Sequence, residues 1–218
     1  MTSRPHKIAA DLISSLPLIR YLRQNQQRQD AYKESRPYSI MNSDAIPTHL
    51  VSGSLFTPNK LPVAPYFFTK SQPIPSLIAA CYVGTHLTGH AGFVHGGLHF
   101  LLFDDAFAYC ASQVFKSRIG MTANLHVDFR QPSLPNRVYV YRCTVEKIDG
   151  RKAYIVGEIR SLNASCAEEM LGRPVADGDG PSVEEREGIL VAEARALFIE
   201  PRDTLSMLPL YPESSECI

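Results

Sequence analysis

The sequence lacks a net charge, an apolar run of membrane length and any closely spaced pair of cysteines. Its 218 residues include 22 basic and 22 acidic side chains, which excludes binding to nucleic acid by bulk electrostatic attraction. No apolar stretch reaches the roughly 20 residues that span a bilayer, so we expect no transmembrane segment. The length suits one domain with extensions.

Cysteine and histidine do occur, but not in the patterns of a disulfide framework or a metal motif. The five cysteines are odd in number and include no CxxC pair, which favours a reducing compartment. His95 and His99 are one helical turn apart, as metal ligands often are. Since no HExxH motif is present, we expect no metal, and we interpret His95 as a histidine that organises its loop by bonding to the backbone.

The sequence does contain an almost continuous apolar run from Leu98 to Phe115. A helix that is apolar on every side is a buried helix, so we predict one over about residues 97–115. Asp104 and Asp105 interrupt the run, and burial of an unpaired carboxylate is costly or raises its pKa. The preceding Gly96–Gly97 pair leaves backbone N–H groups at the helix N-terminus, where they favour negative charge. This segment is therefore the first candidate for a functional site.

After this helix the apolar pattern changes from helical to alternating. Residues 121–130 place Met121 on one face of a strand, and Thr122 and Asn124 on the polar face opposite. Further strands are predicted over 137–149, 152–161 and 189–200. One long helix followed by antiparallel strands predicts an α+β fold in which a curved sheet wraps the helix.

Composition divides the chain into three segments. Residues 1–48 form an N-terminal extension with one or two short helices, broken near Pro17. Residues 49–201 form the main domain, and residues 202–218 form a C-terminal tail. Within the domain, the acidic stretch 167–188 is expected to be a solvated hairpin loop and not a metal site.

The N-terminal helical segment admits two interpretations. Its apolar residues have helical spacing and its charges are mainly basic, which is loosely similar to a mitochondrial targeting sequence. The alternative is a surface helix that packs on the domain. We expect the second, with the cytoplasm as the compartment and mitochondria as the alternative.

A motif around the start of the helix resembles a known family. The segment Gly89-His90-Ala91-Gly92-Phe93-Val94-His95-Gly96-Gly97, with Asp104 nine positions after His95, resembles the hot-dog-fold thioesterase superfamily, in the branch that includes phenylacetic-acid-pathway thioesterases. The resemblance covers about residues 50–200 and extends to fungal members with an N-terminal extension. It implies a hot-dog fold, with the sheet around the long helix, and hydrolysis of an acyl-CoA or acyl-carrier thioester.

The resemblance also implies roles for individual residues. Asp104 would be the general base or nucleophile, Thr122 would orient water or the carboxylate, and the Gly96 N–H would polarise the thioester carbonyl. Substrate contacts are expected from neighbouring positions: His90, His95, Gly97 and Asn124. Gly89 stands where many relatives have Asn or Gln, which puts side-chain positioning of the substrate in question. The CoA thioester would be a substrate, and no separate cofactor is expected.

The spacing along the helix predicts a homodimer. Gly97 and Asp104 are seven residues apart, which is a rise of about 10 Å, and Gly96 is slightly farther. A general base and an oxyanion donor must each lie within about 3 Å of the reacting groups. Asp104 and Gly96 of one chain therefore cannot serve one carbonyl, whereas an isologous dimer combines them twice. A dimer of dimers is a further assembly that we consider.

Two alternative functions, and the role of Asp105, are not decided by the sequence. A non-catalytic acyl-CoA-binding protein with the same fold is suggested by Gly89. Another hot-dog reaction, such as polyketide release, hydration or dehydration, is a third function, although the Asp/His motif usual for hydration is not found. Asp105 points about 100° away from Asp104 around the helix, so we expect it to cap, pair or face the dimer partner.

Overall fold

The centre of the structure is a long helix packed against one antiparallel sheet. The computed structural model describes residues 4–28, 30–162, 188–203 and 207. The predicted acidic loop lies outside these ranges except for Gly188, and so does most of the predicted C-terminal tail. Among the helices described, none is both long and apolar enough to cross a membrane.

The central helix, called α4, spans Gly96–Ser112. It ends three residues before the predicted boundary at 115, with Gln113 as its C-cap. Phe115 lies beyond this end but is buried in the same core. The predicted C-terminal end of the helix was wrong because apolar residues indicate burial and not helix, and the buried segment continues past the last helical turn.

Seven strands form the main sheet. Their bounds are β1 Lys33–Ser35, β2 Tyr66–Lys70, β3 Ser76–Val83, β6 Met121–Phe129, β7 Arg137–Asp149, β8 Lys152–Ser161 and β9 Ile189–Ile199. The spatial order is β1-β2-β3-β7-β8-β9-β6, and all neighbours are antiparallel. Strands β1 and β6 are thus the two edges. A separate ribbon of β4, Thr88–His90, and β5, Phe93–Val94, precedes α4.

One face of the sheet, the inner face, packs against α4. Phe103 and Phe107 of the helix are fully buried there with Tyr141 and Phe198 of the sheet. Burial of one such side chain stabilises the fold by about 1.5–3 kcal/mol. Gly157 of β8 allows the close contact, because a Cβ at this position would lie 2.7 Å from the Phe107 ring. The predicted α+β hot-dog fold, with one long helix against the sheet, is confirmed.

The opposite face, the outer face, is covered by the N-terminal helices. These are α1, Arg4–Ser15, and α2, Pro17–Gln24. Ile13 and Ile19 are fully buried, and they pack in one cluster with Phe68, Ile78 and Val140 of the sheet. The break at Pro17 and the packing of this segment on the domain agree with the prediction.

The rest of the N-terminal extension contributes to the sheet and to the inner core. Strand β1 pairs with β2, and Tyr38 belongs to the inner core. Arg36 lies over the Tyr66 ring at 3.1 Å, and Arg23 bonds to Glu34 at 2.8 Å. Two 3₁₀ turns, Pro37–Ser39 and Ile46–Thr48, and a short helix α3, Leu50–Ser54, complete this part.

Candidate active site

Asp104 and Thr122 meet where the middle of α4 passes the edge strand β6. The Thr122 hydroxyl donates a hydrogen bond to Asp104 Oδ1 at 2.6 Å across 18 residues of sequence. Asp104 is half-buried and Thr122 is exposed. The structure therefore brings together the predicted base and its predicted partner at a position that solvent reaches.

A β-bulge in β6 turns Thr122 towards the helix. Thr122 pairs with Phe198 of β9, whereas Asn124 pairs with Leu197, because the register shifts at Ala123. Residues directly opposite in an antiparallel pair share a face, and Phe198 is fully buried in the inner core. Thr122 is thus on the inner face and Asn124 on the outer face. The predicted alternation, which put both on one polar face, was wrong because it contained no bulge.

The start of α4 presents one available backbone N–H. His95 is the N-cap, and its Nδ1 accepts a hydrogen bond from the Gly97 N–H at 2.9 Å. The interpretation of His95 as a backbone-bonding histidine is confirmed, and the Gly97 N–H is already used. Across the described ranges, no acceptor bonds to the Gly96 N–H. Gly96 is therefore the donor that a ligand can reach.

The His95 ring also explains the absence of a side chain at position 89. A Cβ on Gly89 would lie 2.9 Å from His95 Cδ2, and a Cβ on Gly97 would lie 2.9 Å from His95 Nδ1. The ring therefore fills the space that an Asn or Gln at position 89 would need. His90 is exposed at the end of β4, next to this cap.

Gly96 and Asp104 lie on one face of α4, with Gly96 at the start of the helix and Asp104 at its middle. The helix is regular between them, so their eight-residue separation corresponds to about 12 Å along the axis. Phe100 lies halfway and is 39% exposed. Strand β6 runs beside this face, with Thr122 at Asp104 and the Phe129 ring 3.2 Å from a Cβ built on Gly96. We call these five residues the edge surface.

Asp105 differs from Asp104 in its surroundings. It points into the protein, where the Tyr38 hydroxyl donates a hydrogen bond to its Oδ2 at 2.6 Å. Burial raises the pKa of the Asp105 carboxyl, and the charge of Asp104 adds to the rise, while the Tyr38 hydrogen bond and His49 oppose it. The expectation that Asp105 pairs within the structure is confirmed, and its partner is a residue of the N-terminal extension.

Replacing Asp105 by Asn is expected to raise the melting temperature at pH 7. A carboxyl whose pKa is raised by folding favours the folded state when protonated, so this contribution is present below its unfolded pKa of about 4 and is lost as pH rises through the folded pKa. Asn keeps an acceptor for Tyr38 without a charge. Wild type and D105N should converge in melting temperature near pH 4, and D104N, which removes only the smaller contribution of the Asp104 charge, should raise the melting temperature at pH 7 less than D105N does. A lower melting temperature of D105N at both pH values would contradict this.

His99 belongs to the interior and not to a ligand set with His95. It is fully buried, with Nδ1 3.0 Å from the Tyr141 hydroxyl and Nε2 2.7 Å from Ser133 Oγ. Burial lowers the pKa of His99 to about 4, so the ring is neutral at pH 7. Both ring nitrogens are therefore used within the protein. In the part of the chain that the structure describes, no group of three or more metal-binding side chains is present.

A family model matches the segment that contains this site. Residues 91–167, which contain α4, β6 and their contact at Asp104 and Thr122, match the model of the thioesterase superfamily. The resemblance to that superfamily predicted from the sequence is thereby confirmed.

Individual relatives cover different shares of the chain. An uncharacterized protein of Schizosaccharomyces pombe is 27% identical over 86% of this chain and 90% of its own length. The acyl-coenzyme A thioesterase THEM4 of Rattus norvegicus is 40% identical over 44% of this chain and 40% of its own length. A protein of Candida albicans named as mitochondrial is 24% identical over 69% of this chain and 59% of its own length. The chain thus spans about half of the last two relatives, and fungal relatives are present as expected.

Solved structures of similar arrangement include the PaaI protein from the phenylacetic acid degradation operon of E. coli. It has a TM-score of 0.44 and 16% sequence identity, over 58% of this chain and 72% of that chain.

Proposed function

We propose that this protein is an acyl-CoA thioesterase that hydrolyses a thioester to a free acid and a thiol. The observation that carries the proposal is the Thr122–Asp104 hydrogen bond of 2.6 Å at a solvent-accessible position. Its support is the superfamily match over the same residues and the similarity to a relative named as an acyl-coenzyme A thioesterase.

In the proposed reaction Asp104 is the general base. Thr122 donates to Oδ1, which holds the carboxylate and leaves Oδ2 to accept a proton from water. That water attacks the carbonyl carbon, the C–S bond breaks, and the sulfur leaves with a proton as the thiol. The alternative role is that of a nucleophile: the carboxylate attacks the carbonyl carbon, the C–S bond breaks to release the thiolate, and water then hydrolyses the resulting mixed anhydride.

The Gly96 N–H is the proposed donor to the developing oxyanion. It is at the N-terminus of α4, where backbone dipoles favour negative charge. One such donor contributes about 3–4 kcal/mol to transition-state stabilisation in comparable sites. His95 supports this role because it caps the helix through the Gly97 N–H and leaves the Gly96 N–H to the substrate.

We further propose that the site is completed by a second protomer. The distance of about 12 Å between Gly96 and Asp104 along α4 requires that one carbonyl use these groups from two chains. Among the strands that the structure describes, the nine-residue strand β6 is an edge strand that pairs only with β9, and such an edge is a template for strand pairing. On the edge surface beside it, Phe100 and Phe129 are 39% and 47% exposed, and a dimer would cover them. A dimer of dimers stays a further proposal.

For the compartment we keep the cytoplasm as the proposal, with mitochondria as the alternative. The name of the Candida albicans relative supports the alternative, while the packing of α1 and α2 on the outer face supports a structural role for the N-terminal segment. Imaging of the full chain with a C-terminal tag distinguishes them.

The enzymatic proposal is tested by thiol release. Purified protein is given a panel of aliphatic and aromatic acyl-CoA thioesters, and we expect turnover of at least one of them, seen with a thiol reagent. Binding of an acyl-CoA without turnover of any would instead establish the non-catalytic function. Water addition to an enoyl-CoA without thiol release would identify the hydratase alternative.

A further inference from the structure

A cavity, called the outer cavity, lies on the outer face of the sheet, on the side opposite to Asp104 and Thr122. Its volume is about 360 Å³, within the usual range of small-molecule sites. It is lined by residues of helix α2, of the loop that follows it and of the strands β2, β3 and β7. Neither the proposed hydrolysis nor the dimer surface uses it.

Apolar and cationic side chains both line this outer cavity. The apolar and aromatic ones are Leu18, Leu22, Ile78, Tyr21 and Tyr32. Ile78 is 8% exposed and belongs to the outer-face core, so this lining is continuous with well-packed structure. The cationic ones are Lys70, whose Nζ lies 5.9 Å from the Tyr32 ring, and Arg142, the cross-strand neighbour of Ile78.

The cationic part holds more positive than negative charge. Arg142 lies between Ile78 and Glu158 in one row across the sheet. The Glu158 carboxylate accepts both close hydrogen bonds of Arg160, at 2.8 and 3.0 Å, and is 3.6 Å from Arg142 Nη1. The Glu158 carboxylate thus bonds to Arg160 and lies near Arg142. Lys70 adds a further positive charge at the cavity.

Two further charged residues at the mouth of the cavity add no net charge to it. Arg28 and Asp30 both line the cavity, and their side chains lie 3.7 Å apart with more than half of each exposed. An exposed pair of this kind is screened by solvent and contributes little to binding. The ligand that matches the cavity therefore carries negative charge and has an apolar body.

We propose that the outer cavity binds an apolar monocarboxylic acid. The carboxylate lies on the side of Lys70 and Arg142, where charge-assisted hydrogen bonds form, and the hydrocarbon body packs against Leu22 and Ile78. This site is separate from the thioesterase site, since the two lie on opposite faces of the sheet. It stands independently of the proposed hydrolysis, although such an acid is chemically of the class that thioester hydrolysis releases.

The test is calorimetric titration of the full chain with straight-chain carboxylates from hexanoate to dodecanoate. The matched alcohols, which keep the body and lack the charge, serve as ligand controls. We expect the carboxylates to bind at least about tenfold more tightly than the alcohols, because hydrogen bonds to a charged group are stronger than those between neutral groups. NMR of tyrosine-labelled protein should show shifts of Tyr21 and Tyr32 on titration.

Matched variants separate this cavity from the thioesterase site. Lys70→Gln keeps most of the side-chain length, and we expect it to weaken carboxylate binding by about tenfold, whereas Lys152→Gln at the far end of β8 should not. Asp104→Asn should leave the tyrosine shifts unchanged. Equal binding by K70Q and wild type, equal binding of acids and alcohols, or equally tight binding of inorganic phosphate would overturn the proposal.

Discussion

Replacing Asp104 by Asn is expected to lower kcat for thioester hydrolysis by at least about 100-fold, since general bases contribute about 10²–10⁴ to rate. Asn has the same shape, and its amide oxygen still accepts the Thr122 hydrogen bond that measures 2.6 Å in the structure. The loss therefore reports the missing base and not a displaced side chain. Steady-state thiol release measures it, and a melting curve close to that of wild type shows that the fold is kept.

The control for this substitution is Asp128→Asn on the same edge strand. Asp128 pairs with Glu193 of β9 in the sheet register and has His126 at 3.1 Å, on the outer face away from α4. We expect D128N to keep wild-type turnover. Turnover of D104N within about threefold of wild type, on every thioester that wild type hydrolyses, would assign Asp104 and Thr122 a structural role instead.

Substitutions of Thr122 test, by the same assay of thiol release, whether its hydroxyl positions Asp104. Thr122→Val removes the hydroxyl at nearly constant shape, and Thr122→Ser retains it. If the hydrogen bond to Asp104 positions the carboxylate, T122V lowers kcat by about tenfold and T122S recovers most of the activity. Equal activity of T122V and T122S would show that the Thr122 hydroxyl has no role in the reaction.

The second large effect is expected from removing the Gly96 N–H. Gly96→Pro deletes this donor at the first position of α4, where proline fits a helix, and His95 already has the extended ψ of 127° that a residue before proline adopts. We expect kcat to fall by about 10²–10³, the usual loss of one oxyanion donor. Gly96→Ala is the matched control, because it retains the N–H while both variants place a Cβ against the Phe129 ring.

Mixing the two inactive variants tests whether the site is shared between protomers. In a dimer of D104N with G96P, one of the two sites combines an intact Gly96 with an intact Asp104 from different chains. Half of the randomly formed dimers are mixed and each has one working site, so co-expression should restore about one quarter of wild-type activity. Activity no higher than that of the separate variants would refute the shared site.

Much of the architecture was predictable from local patterns. The apolar run after Gly97 predicted a buried helix, and the break at Pro17 separated two short ones, because helix burial and proline geometry depend on neighbouring residues. The end of α4 was misplaced, since Phe115 is buried without being helical.

The candidate site was predictable only in its composition. The motif from Gly89 to Gly97 and the spaced Asp104 indicated the chemistry, and the rise per residue of a helix was sufficient to predict that Gly96 and Asp104 are too far apart for one chain. The sequence by itself thus determined the helix, the residue types at its start and centre, and their separation along it.

Only the tertiary structure decided which way those residues face. A bulge at Ala123, set by pairing with β9, puts Thr122 on the inner face beside Asp104 and Asn124 on the outer face. Tyr38, 67 residues from Asp105, holds that carboxyl in the interior through a hydrogen bond, whereas Asp104 is the aspartate that bonds to Thr122 on the solvent side. These outcomes depend on strand register and long-range contacts, which no local periodicity records, because the partners are brought together only by folding.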